Sequence, residues 1–150
     1  MSKLIQDATK YCEANGLRLT EPRLKVFEAI INAGKPLGAY DVIDAMPKGT
    51  KPPTVYRALE FWEEEGFLHK ISSLNLYAAC QAGHRHHSAQ FLICDNCGSI
   101  TEAHLCDMPQ ELEKIAKAKK FKIKQWVLEL RGLCSNCSSQ NYEPKHACVH

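Results

Sequence analysis

Two Cys-x-x-Cys turns, Cys94-Asp95-Asn96-Cys97 and Cys134-Ser135-Asn136-Cys137, offer four thiolates and so constrain how everything between them can fold. Zinc accepts four thiolates in a closed tetrahedron, and each knuckle supplies two of them from a tight backbone turn, helped at the first by Gly98. The stretch between the pairs exceeds that of an ordinary zinc ribbon, so a whole helix must fit inside it. The spacing predicts one structural zinc shared by Cys94, Cys97, Cys134 and Cys137. A disulfide framework and a redox dithiol are the alternatives that spacing leaves open.

The compartment bears on that choice. No apolar run is long enough to cross a bilayer and no signal-peptide core follows Met1, so a cytoplasmic protein without a membrane partner is expected. In a reducing cytosol, eight cysteines favour metal ligation over disulfides. A length of 150 residues suits one domain, or two small ones that each need help such as a metal. Hydrophobic and charged fractions of 45% and 24% exclude disordered and fibrous classes. A net charge of +2 neither demands nor excludes nucleic acid. Basic and acidic residues balance within residues 1–80, so a DNA-binding face there must be made locally, from Arg18, Arg23, Lys25, Lys48, Lys51, Arg57 and Lys70.

Residues 3–15 carry an apolar stripe at helical spacing and stop at Gly16; a second helix opens at the N-cap Thr20 with Pro22 in its first turn. Residues 34–38 break that helix, and a short third one runs over 40–46. Lys51-Pro52-Pro53-Thr54 stops and restarts the chain, and a fourth helix runs from Val55 to Gly66. Residues 67–71 and 75–79 read as a hairpin. This order is that of a winged helix-turn-helix, in which the helix after the tight turn enters the major groove with its N-terminal residues foremost. Here those are Thr54, Tyr56 and Arg57, with Lys51 just before them.

The histidine-rich residues 81–87 read as a hinge between a winged-helix domain (1–80) and a dimerisation and metal-binding domain (88–150) with a flexible tail. In the second domain, strands are predicted at 89–93 and 99–103, and a helix from the N-cap Asp107 to about Lys120. A strand over 121–133 carries a bulge near Gln125-Trp126, where its alternation slips. The fold class is therefore α+β. A three-stranded sheet leaves edges that a second copy would cover, which predicts a homodimer.

A second set of metal-binding side chains lies around the hinge: His69, Cys80, His84, His86, His87 and Glu102. Imidazole, thiolate and carboxylate together suit zinc better than manganese or ferrous iron, and a metal held across a hinge can act as a switch. Cys12 and Cys106 read as plain thiols. His146, Cys148 and His150 offer a weak further site in the tail. No triad spacing and no phosphate-binding glycine loop is present, so no enzyme is expected.

Pro52-Pro53-Thr54-Val55-Tyr56-Arg57-Ala58-Leu59, then Gly66-Phe67-Leu68-His69-Lys70, the histidines and the two Cys-x-x-Cys pairs resemble the ferric uptake regulator superfamily, most of all its zinc-uptake-regulator branch. The resemblance runs from Arg18 to Cys137. It implies a homodimeric, zinc-dependent repressor on double-stranded operator DNA, with one structural and one regulatory zinc per chain. By the same resemblance Cys94, Cys97, Cys134 and Cys137 match the structural ligands, and His69, Cys80, His87 and Glu102 the regulatory ones. His86 is the alternative to His87. Tyr40, Tyr56 and Arg57 match DNA-contacting positions. An iron-, nickel- or peroxide-responsive regulator of the same superfamily, or a thiol redox protein, are the competing readings.

Overall fold

The computed structural model describes residues 2–80, 88–103, 105 and 107–138. Helix α1 (Lys3–Ala14) begins where the Ser2 hydroxyl accepts the Ile5 N–H at 3.3 Å, and it buries Ile5, Ala8 and Cys12. Burial raises the Cys12 thiol above its ordinary range, as suits a core residue. Helix α2 (Glu21–Ala33) begins in the same way, with the Thr20 hydroxyl accepting the Arg23 N–H at 3.4 Å, and closes at Gly34 in the left-handed region. Strand β1 (Leu37–Gly38), helix α3 (Ala39–Ala45) and helix α4 (Pro52–Glu64) follow, then the wing strands β2 (Leu68–Ile71) and β3 (Leu76–Ala79). The three strands form an antiparallel sheet in the order β1-β3-β2.

Trp62 is the centre of this part. Its indole is fully buried, stacks on Phe27 with centroids 4.6 Å apart, meets Phe61 and Phe67 edge-on, and donates its Nε1–H to the Arg23 carbonyl at 2.8 Å. One buried donor thus finds a partner while the ring fills the space between α2 and α4.

Strands β4 (Ser88–Cys94) and β5 (Ile100–Ala103), helix α5 (Gln110–Ala118) and strand β6 (Trp126–Gly132) make the second sheet, in the order β5-β4-β6. β4 and β5 are antiparallel across the first cysteine turn, while β6 runs parallel to β4 because α5 lies in the crossover. On β4, Ala89, Phe91 and Ile93 point one way and pack against Ile71 and Ala78 of the wing, so the two sheets meet face to face. Leu92 of β4 and Leu130 of β6 point the other way and stay 47% and 53% exposed.

Four sequence expectations need correction. α4 starts at Pro52, not Val55, because the two prolines occupy its first two positions, where no intrahelical N–H is needed. α5 starts at Gln110 with Pro109 as N-cap and no side-chain cap bond, so Asp107 does not cap it. The slip near Trp126 marks the start of β6 rather than a bulge: Lys120 adopts a φ of +53° and the Phe121 N–H closes back on the Ala116 carbonyl at 2.8 Å, which keeps residues 121–125 out of the strand. The expected break over residues 34–38 ends in strand β1, whose two residues become a strand only by pairing with Tyr77 and Leu76 of β3.

Candidate metal centres and nucleic-acid interface

The first cysteine turn joins β4 to β5 and the second follows β6, so the parallel pairing of β4 with β6 brings both turns to one end of the sheet. The Asp95 N–H donates to the Gly132 carbonyl at 2.8 Å, and Arg131 donates from Nε and Nη2 to Asp95 Oδ1 at 2.9 and 2.7 Å. Those bonds hold the two turns in register. Gly98 takes a φ of +76° and donates its N–H to the Cys94 carbonyl at 3.0 Å, which is the tight return that the knuckle needs.

The sulfurs of Cys94, Cys97, Cys134 and Cys137 all lie within 4.8 Å of one another, and those of Cys97 and Cys134 are 3.8 Å apart. A zinc tetrahedron with Zn–S bonds of about 2.3 Å has S···S edges of about 3.8 Å, so the spacing fits a four-thiolate zinc. A disulfide, at about 2.05 Å, does not fit it. Hydrogen bonds from the backbone of Cys134 and then Cys97 outweigh burial and hold the Cys94 thiol down at about 6. Cys97 is lowered too, first by Ser99. At Cys137 the Asn96 hydrogen bond pulls down, yet Cys134, burial, Cys97 and Cys94 together push the thiol up to about 11. Four sulfurs this close ionise together only when a cation shares them.

The second group assembles from three elements. His69 sits on β2, facing away from the helices, Cys80 just after β3, and Glu102 on β5; one ligand atom from each lies within 4.8 Å of the others. His69 and Cys80 are buried and Glu102 is half-buried. Nitrogen, sulfur and oxygen donors in one partly desolvated place suit zinc. The expectations for His84, His86, His87, Cys106, His146, Cys148 and His150 fall outside the described residues.

On the opposite side, α4 buries Val55, Ala58, Leu59 and Trp62, which leaves Tyr56 and Arg57 exposed. Lys51 is the exposed N-cap, and Thr54 is half-buried in the first turn with its N–H on the Lys51 carbonyl at 3.0 Å. Tyr40, 77% exposed at the start of α3, lines a cleft of about 430 Å³ with Tyr56, Lys70 and Tyr77. Lys51, Tyr56, Arg57 and the positive end of the helix dipole are available to phosphates and base edges. Asp95 and Arg131, which brace the cysteine turns, were not singled out from the sequence. Their contact spans 36 positions and no local spacing announces it.

Residues 14–131 match the model of the ferric uptake regulator family. The chain is 36% identical over 140 residues to the zinc uptake regulation protein of Escherichia coli (strain K12), with 90% of this chain and 81% of that protein covered. The chain belongs to the ferric uptake regulator family. Among solved structures of the family, a zinc uptake regulator complexed with zinc and DNA aligns with a TM-score of 0.79 at 32% identity, covering 91% of this chain and 95% of that one. Holo XcZur aligns with a TM-score of 0.76 at 41% identity, covering 88% and 94%. Apo XcZur, at 40% identity and covering 91% and 96%, aligns with a TM-score of only 0.51. Family membership makes the chain a transcription regulator rather than an enzyme. Among the described residues, no helix is long and apolar enough to cross a membrane.

Proposed function

We infer that this chain is a zinc-responsive DNA-binding repressor of zinc-uptake genes, acting in the cytoplasm as a homodimer on operator DNA. The observation that carries the reading is the convergence of His69, Cys80 and Glu102 from the wing, the chain just after it and the second sheet. By its resemblance to zinc uptake regulators, this donor set is read as the sensor. His87, or else His86, completes it, and Cys94, Cys97, Cys134 and Cys137 hold a second, permanent zinc. When bound, zinc supplies a Lewis-acid centre that takes neutral imidazole, thiolate and carboxylate together.

The protein's own residues do the rest. Glu102 belongs to the dimerisation sheet, while His69 and Cys80 belong to the winged helix and its exit. A fixed distance between them fixes the angle at which α4 is presented. In a dimer, that angle sets the separation of two copies of Tyr56 and Arg57, and only one separation matches successive half-sites on DNA. When the three ligands are free to part, the competent pose is a fraction of the population and operator affinity falls by that fraction. The closer match to holo than to apo XcZur supports a docked, binding-competent arrangement in this structure. Of the iron, nickel and peroxide readings, those that need an iron site are disfavoured by the thiol of Cys80, since such sites take oxygen-rich donors. The dimer is supported by the open Leu92 and Leu130 face and by α5, which buries none of its residues and exposes Leu112 and Ile115.

The test is operator binding against free zinc for Cys80→Ser. Its curve should move to at least roughly tenfold higher zinc, as loss of a ligand or its support costs 10–100-fold. A curve that coincides with that of the unaltered protein refutes the sensor assignment.

A further inference from the structure

Phe91 of β4 is paired with Glu102 on one side and with Glu129 of β6 on the other, so the three side chains form one row on the face that meets the wing. A buried ring thus has a carboxylate on each flank. Glu102 reaches toward His69 and Cys80 at the base of the wing. Glu129 reaches the tip, where its Oε1 accepts the backbone N–H of Ser73 at 3.3 Å. The turn itself uses the neighbouring amides: Leu74 donates to the Ile71 carbonyl and Asn75 to that of Ser72. Between the two flanks Ile71 and Ala78 close on Ala89, Phe91 and Ile93. The wing straddles the second sheet and is held at both ends, by different chemistry at each.

We propose that Glu129 is a positioning residue that docks the wing tip on the dimerisation sheet, making the wing the coupler between the sensor and α4 and setting the zinc level at which DNA is bound. The proposal rests on the zinc-responsive reading above. A contact made only in the docked pose raises the population of that pose, and by linkage raises zinc affinity by the same factor.

Glu129→Ala and Glu129→Gln separate the possibilities, because glutamine keeps an acceptor at the same reach. In the zinc-loaded full chain, backbone amide exchange over residues 71–76 should quicken in the alanine variant and stay near that of the unaltered protein in the glutamine variant. The zinc concentration for half-maximal operator binding should rise roughly three- to tenfold in the alanine variant, the size of one solvent-exposed hydrogen bond. Chelator competition without DNA should show the same factor in zinc affinity, and thermal melting should show both variants folded. Exchange that is equal in the unaltered and alanine proteins overturns the wing contact. A quickened wing with an unmoved zinc curve overturns the coupling, and equal shifts for alanine and glutamine overturn the role of the acceptor. If the unaltered protein ignores zinc, the functional reading falls with the coupling, and the exchange comparison still decides the contact.

Discussion

Arg57 and Lys51 sit at two different places on the presented helix, and that difference separates their effects. Arg57 projects from the exposed face within the second turn of α4, where a guanidinium can take a guanine edge; Lys51 stands outside the helix, where an ammonium meets a phosphate. Arg57→Ala should therefore lose about 1–3 kcal/mol on the operator and blur its sequence preference. Lys51→Ala should weaken all sequences alike and lower the salt slope by about 1. Fluorescence anisotropy over a salt series on operator and scrambled duplexes reads both, and interchangeable variants would contradict the division. The cysteine cluster was legible because each pair is a local turn. The convergence of His69 and Glu102 was not, since it depends on two sheets meeting face to face and was suggested beforehand only by residue type and resemblance.

At the scale of elements, the helices of the N-terminal part were readable because capping chemistry is local: Thr20 and Gly34 bracket α2 in the sequence as they do in the structure. Where a boundary depends on a partner, local reading failed. β1 exists through β3, and the start of β6 depends on how the chain leaves α5. The C-terminal elements also show what they lack. The sheet buries Phe91 against the wing, while Leu92 and Leu130 on its other face, like Leu112 and Ile115 of α5, remain open. A charge placed there should leave the protomer folded, because exposed positions tolerate substitution within about 0.5 kcal/mol, yet it should be intolerable in an apolar dimer core. Leu130→Glu is expected to give a folded monomer in analytical ultracentrifugation and to lose operator affinity. A variant that remains a full dimer would place the interface elsewhere.

Across the whole molecule, the two candidate metal-binding groups differ in what must move for each to open. The four cysteines lie on turns at one end of a single sheet, braced by Asp95 and Arg131, so their geometry survives motion between wing and sheet. His69 and Cys80 lie on one side of the seam and Glu102 on the other, and separation of the two sheets takes the group apart. A structural four-ligand zinc can carry about 10–16 kcal/mol of apparent binding energy at neutral pH, comparable to the whole stability of a domain. Metal removal should accordingly proceed in two stages. A mild chelator takes one zinc per chain, abolishes operator binding, and leaves the circular dichroism spectrum and the dimer intact. A strong chelator takes the other and melts the second sheet, because the binding energy of the four-ligand zinc is then lost to the fold. Metal content measured beside far-ultraviolet spectra distinguishes this course from a single step in which both ions and the fold are lost together, which would make the sensor and the scaffold one cooperative unit.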